Sequence, residues 1–139
     1  MDVKYTAHAV SSGGGRDGTV RSDDGFIDLP LKMPPALGGP GGATNPEQLF
    51  AAAFSSCFHG ALRLVGRNEK VAIPDGATVA ADVGIGPDDT SLAIKVTITA
   101  TVPGLDQAVA DDLVAKAHQV CPYSKATRGN VDVTLVAKV

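Results

Sequence analysis

Between Asn45 and Asn68 the sequence is apolar on almost every side of a would-be helix. Asn45-Pro46-Glu47 reads as its start: a capping Asn, a Pro at the first helical position and an acid in the first turn. Leu49, Phe50, Ala51, Ala52, Ala53, Phe54, Cys57, Phe58, Ala61, Leu62, Leu64 and Val65 follow. A helix apolar all round is expected to be buried all round. His59 and Arg63 interrupt the run, and a membrane span needs about 20 apolar residues, so a core helix is expected rather than a span. A chain of 139 residues has little else with which to surround it. Burial at a subunit interface is therefore expected.

The remainder reads mostly as strands. Val3, Tyr5, Ala7 and Ala9 alternate with Asp2, Lys4, Thr6 and His8, the period of a half-buried strand. Residues 11–18 (SSGGGRDG) form a turn, 19–22 a second strand, Asp24-Gly25 another turn and 26–31 a short strand. The Pro- and Gly-rich stretch 34–42 is a loop. After the helix, 77–85 and 91–102 read as an antiparallel pair joined by a turn at 86–90. Residues 106–120 make a second helix with Leu113, Val114 and Ala117 on its inner stripe. Cys121-Pro122 stops it, because the residue before Pro is pushed out of helical geometry. Residues 131–139 close the chain as a strand. With no repeat or linker, one domain over 1–139 is expected, of the α+β class with a largely antiparallel sheet.

Composition narrows the function. With 44% hydrophobic and 19% charged residues the chain can form a core. A net charge of −3 argues against nucleic-acid binding. Charged residues in MDVKYTAHAV stand where a signal peptide needs an apolar run, so a soluble, cytoplasmic protein with no membrane association is expected. There is no Gly-x-Ser-x-Gly elbow, and the glycine runs lack the Lys-Ser/Thr of a phosphate loop. Cys57, His59, His118 and Cys121 offer metal-ligand chemistry, but positions 57 and 59 point about 200° apart on a helix. No metal site is expected.

Thiol chemistry remains. A lone Cys57 in an apolar helix would ordinarily be inert. Three features weigh against that: Cys121 at a helix break, Arg16 presented by GGGR, and Glu47 at the front of the helix, able to grip Arg16 bidentately. A thiol of pKa about 8.5 is a few per cent thiolate at neutral pH, and a guanidinium within about 4 Å lowers a pKa by about one to three units. Phe50 and Phe54 share a helix face with Cys57 and would wall the approach to its sulfur. Such a wall favours apolar hydroperoxides over hydrogen peroxide.

The stretches NPEQLFAAAFSSCFHGAL, VCPYSKATRGNVDV and GGRDGTV resemble the organic hydroperoxide resistance (Ohr) proteins, a branch of the Ohr/OsmC family of thiol peroxidases. The resemblance runs from about Tyr5 to the last strand. It implies an OsmC-like intertwined homodimer, with antiparallel sheets packed around long central helices. By the same resemblance Cys57 is the peroxidatic cysteine, Cys121 the resolving cysteine, Arg16 the thiolate-activating arginine and Glu47 its orienting carboxylate. The implied activity is reduction of organic hydroperoxides to alcohols in oxidative stress defence. It passes through a sulfenic acid and an intrachain disulfide, without metal, haem or flavin, and dihydrolipoamide or a lipoylated protein serves as reductant. An OsmC-type peroxidase of different preference and a redox sensor without turnover are the alternatives.

One spacing constrains that scheme. Glu47 and Cys57 are ten residues apart, about 15 Å along a straight helix, too far for one Arg to serve both. Either the helix breaks near residues 51–55, or the groups meet across the dimer interface.

Overall fold

The computed structural model describes all 139 residues, Met1–Val139. The chain divides into two compact units, residues 1–49 and 50–139.

In the first unit, β1 (Ala9–Ser12), β2 (Thr19–Ser22) and β3 (Asp28–Pro30) form an antiparallel sheet in that order. The strand expected over 3–9 is displaced: ladder pairing begins only at Ala9. The alternation is present, but β2 ends at Ser22 and turns at once, so residues 3–8 meet no partner strand within the chain. The strand expected over 26–31 shortens to Asp28–Pro30 for the same reason, since β2 offers it only three partners. This sheet builds almost no interior. Val10, Phe26, Ile27 and Leu29 are exposed, and the buried residues of the unit are Leu31 and Asn45.

α1 (Pro46–Glu69) starts where expected, with the Gln48 amide donating to Asn45 Oδ1 at 2.9 Å. It closes in a Schellman arrangement: Lys70 takes a left-handed φ of 59° and the Val71 amide returns to the Gly66 carbonyl at 2.9 Å. The helix is continuous over 24 residues, so the first of the two alternatives, a break near 51–55, does not occur. Ser55 and Ser56 turn their hydroxyls back onto the Ala52 and Ala53 carbonyls, in register with an intact helix. Within the chain α1 is buried on one stripe rather than all round. Phe54, Phe58, Ala61, Leu62, Val65 and Gly66 are covered, while Ala52, Ser56, Gly60 and Arg63 are exposed.

The second unit holds the core. β4 (Thr78–Pro87) and β5 (Leu92–Thr101) form the expected antiparallel hairpin. β6 (Asp132–Lys138) pairs with β5 in parallel, against the expectation of hairpin pairing alone. The crossover is made by α2 (Gln107–Val120) and a short α3 (Pro122–Thr127) that periodicity did not announce. Val96, Ile98 and Ala100 on β5 are wholly buried and stand opposite Val83, Ala81 and Val79 on β4 and Val133, Leu135 and Ala137 on β6. Against this face pack Phe54, Phe58 and Leu62 of α1, Leu113, Val114 and Ala117 of α2, and Cys121. Burying a large apolar side chain contributes about 1.5–3 kcal/mol, so these layers carry most of the unit's stability.

Candidate active site

Arg16 lies in a single 3₁₀ turn, Gly15–Asp17, after three glycines. Gly15 has φ +63°, a conformation an L side chain rarely adopts. A Cβ on Gly18 would stand 1.9 Å from the Ser12 carbonyl oxygen, so the hairpin can close around Arg16 only with glycine there. The side chain reaches Glu47 in the first turn of α1, as expected, but through one nitrogen. Nη2 donates to both Oε1 and Oε2 at 2.6 Å. A two-nitrogen bidentate grip is therefore not formed. Nε and Nη1 are left as donors for another acceptor.

In the second unit Cys57 and Cys121 meet. Their sulfurs are 3.8 Å apart and both thiols are free. Cys121 is wholly buried and Cys57 partly so. Cys121 ends α2 and begins α3 at once, with φ −64° and ψ 124°. Pro122 forces that extended geometry on it. Burial pushes the Cys57 thiol up; the Tyr123 amide facing the sulfur pulls it down, and the Cys121 thiol pushes it up again.

Phe50 and Phe54 pack edge to face at 5.9 Å, as the shared helix face predicted. A third ring joins them. Tyr123 stacks on Phe50 at 6.4 Å and meets Phe54 edge-on at 5.9 Å. Sequence reasoning missed Tyr123; its signal was an aromatic two residues past Cys121, just inside the start of α3. The three rings and both sulfurs make an apolar site with a redox-capable pair.

The sequence-predicted residues thus assemble as two separate groups, Arg16 with Glu47 and Cys57 with Cys121 beside Phe50, Phe54 and Tyr123. α1 runs unbroken through the ten positions from Glu47 to Cys57.

The chain is similar in sequence and fold to known proteins. The profile of the family described as OsmC-like protein matches residues 39–136. The chain belongs to the OsmC-like family, in its organic hydroperoxide resistance branch. It is 50% identical over 134 residues to the organic hydroperoxide resistance protein of Xanthomonas axonopodis pv. citri, covering 96% of this chain and 94% of that one. An organic hydroperoxide resistance protein from Legionella pneumophila superposes with a TM-score of 0.93 at 45% identity, over 99% of this chain and 100% of that one. For OhrB of Bacillus subtilis the TM-score is 0.89 at 42% identity, over 98% and 100%. The α+β OsmC/Ohr fold expected from the motifs is the fold observed.

Proposed function

We propose that the chain is a thiol-dependent peroxidase that reduces organic hydroperoxides to alcohols in defence against oxidative stress. The observation that carries the reading is the approach of two free sulfurs, 64 positions apart in sequence, to 3.8 Å beside an aromatic cluster. The names of the relatives in the resistance branch agree with it. The Cys57 thiolate attacks the distal oxygen of ROOH; alcohol leaves, and Cys57 becomes a sulfenic acid. Cys121 displaces water from that sulfur and closes an intrachain disulfide. A lipoyl dithiol, free or protein-bound, reopens it by exchange. Phe50, Phe54 and Tyr123 favour an alkyl or lipid chain over hydrogen peroxide.

The activating charge comes from Arg16, oriented by Glu47. With the helix break gone, the remaining route is across an intertwined homodimer in which one protomer's Arg16–Glu47 pair serves its partner's cysteine. Two observations support that. The first-unit sheet has hardly any core of its own, and α1 leaves Ala52, Ser56 and Gly60 uncovered, small residues that permit close helix approach. The free Nε and Nη1 of Arg16 would then meet the thiolate and the peroxide oxygens. We place the enzyme in the cytoplasm, where a reducing poise maintains the dithiol state.

The test is steady-state consumption of cumene hydroperoxide with excess dihydrolipoamide. Wild type should turn over many times and Cys57→Ser not at all. Consumption that stops after one equivalent would make the chain a sensor, and undiminished turnover by Cys57→Ser would remove the thiol mechanism.

A further inference from the structure

Three buried side-chain polar atoms have no hydrogen-bond partner: Nε2 of His59, Nδ1 of His118 and Oγ of Ser124. All three belong to residues within three positions of Cys57 or Cys121. Among them Ser124 alone is wholly buried. An unpaired buried hydroxyl is unfavourable, so its persistence calls for a state in which it is paired.

The neighbouring hydroxyl sharpens the contrast. Thr127, the other buried polar residue of α3, donates to the Tyr123 carbonyl at 2.9 Å and lies 3.2 Å from the Ser124 carbonyl. It is satisfied within its own helix, and Ser124 is not. Ser124 is also the third residue of α3, and Cys121 is the cap. In a capping box the third residue reaches back toward the cap residue's amide. Here that amide already donates to the Ala117 carbonyl at 2.9 Å. The Cys121 carbonyl in turn accepts from the Lys125 amide at 2.9 Å, which leaves the cap residue's sulfur, wholly buried and 3.8 Å from the Cys57 sulfur.

A buried thiol is a weak partner for a hydroxyl, whereas a buried thiolate needs a donor badly. We propose that the Ser124 hydroxyl is held for the Cys121 sulfur as it loses its proton, stabilising the resolving thiolate while the disulfide closes. This rests on the peroxidase reading above. In that step Cys57–S–OH and HS–Cys121 give Cys57–S–S–Cys121 and water. The S–O bond breaks and the S–S bond forms with the electron pair of the Cys121 sulfur. The Cys57 sulfur is reduced, the Cys121 sulfur is oxidised, and the thiol proton leaves with the hydroxyl. Ser124 gives up no atom; its O–H donates to the sulfur while it is negative. Thr127, already bonded to backbone, has no such part.

The experiment is single-turnover oxidation with one equivalent of cumene hydroperoxide, following sulfenic acid and disulfide by mass over a pH series. Ser124→Ala should form the sulfenic acid at the wild-type rate. It should close the disulfide about 10-fold more slowly at neutral pH, with the rate's midpoint about one unit higher. Ser124→Gly should behave the same way, and Thr127→Val should leave the midpoint in place. Closure by Ser124→Ala with the wild-type midpoint overturns the inference and leaves the peroxidase reading intact; failure of wild type to oxidise Cys57 at all overturns both. The thermal midpoint of the reduced Ser124→Ala protein should be no lower than that of wild type. A lowered midpoint, or a failure to fold, means the hydroxyl is already paired in the dithiol state and removes the premise.

Discussion

The two compact units handle apolar surface in opposite ways. Residues 50–139 enclose theirs: Phe54, Phe58, Leu62, Val96, Ile98 and Leu113 are shut away between helices and sheet, and the cysteine pair is set in that packing. Residues 1–49 display theirs: Val10, Phe26, Ile27 and Leu29 stand in solvent, and the Arg16–Glu47 pair is held by a glycine turn and a helix start. The cysteine pair is thus held by packing, and the Arg16–Glu47 pair by local geometry alone. On the proposed function, the making and breaking of sulfur bonds would fall to the packed unit and the positive charge to the other.

The largest effect that tests this contrast is on stability. Phe58→Ala should cost about 3–5 kcal/mol, read as a fall in the denaturant midpoint at any protein concentration. Leu29→Ala should cost under about 1 kcal/mol in dilute protein and more as concentration rises, because a partner that covers the sheet stabilises by mass action. Equal, concentration-independent costs would break the contrast. A smaller effect concerns the thiol. Arg16→Ala should move the midpoint of Cys57 alkylation up by about one to three pH units. If the proposed dimer completes the site, wild type should drift toward the variant's value on dilution. A wild-type profile indifferent to both mutation and dilution would deny the charge its role.

The smallest effect lies inside the packed unit. Burial, aided by Arg128, lowers the pKa of His118 below its ordinary value of 6.5. The unfolded chain therefore takes up a proton first as pH falls. The stability held above about 6.5 should decline from there down to the lowered pKa. His118→Gln should flatten that part of the stability–pH curve, and an unchanged slope would show that other groups set it.

Much of this was readable from the residues, for local reasons. Asn45-Pro46-Glu47 marks a helix start because capping is chemistry between near neighbours. Val96, Ile98 and Ala100 announce a strand because period two survives without knowledge of partners. What escaped is non-local or short. The six residues of α3 span fewer than two turns, too few to show a period. The parallel seat of β6 depends on a crossover the strand itself does not encode. At the site, Cys57, Cys121, Arg16 and Glu47 were legible from their settings, and each found one partner among the others. Tyr123 was not, because its ring matters only once α3 is laid against Phe50 and Phe54. The helix break offered as one alternative was an inference from distance, and nothing local in the sequence at 51–55, neither Pro nor Gly, encodes one.

The unbroken α1 has a consequence for inheritance. If each site draws Cys57 from one protomer and Arg16 with Glu47 from the other, one polypeptide contributes unlike halves to two sites. A lesion in Cys57 on one copy and a lesion in Arg16 on the other leave one site whole in the mixed dimer. The same two lesions on a single copy spoil both sites, including the one to which a healthy partner brings its cysteine. Arrangement in cis or in trans then decides where whole sites sit: one to each mixed dimer in trans, and in cis paired in the dimers built from the undamaged copy alone.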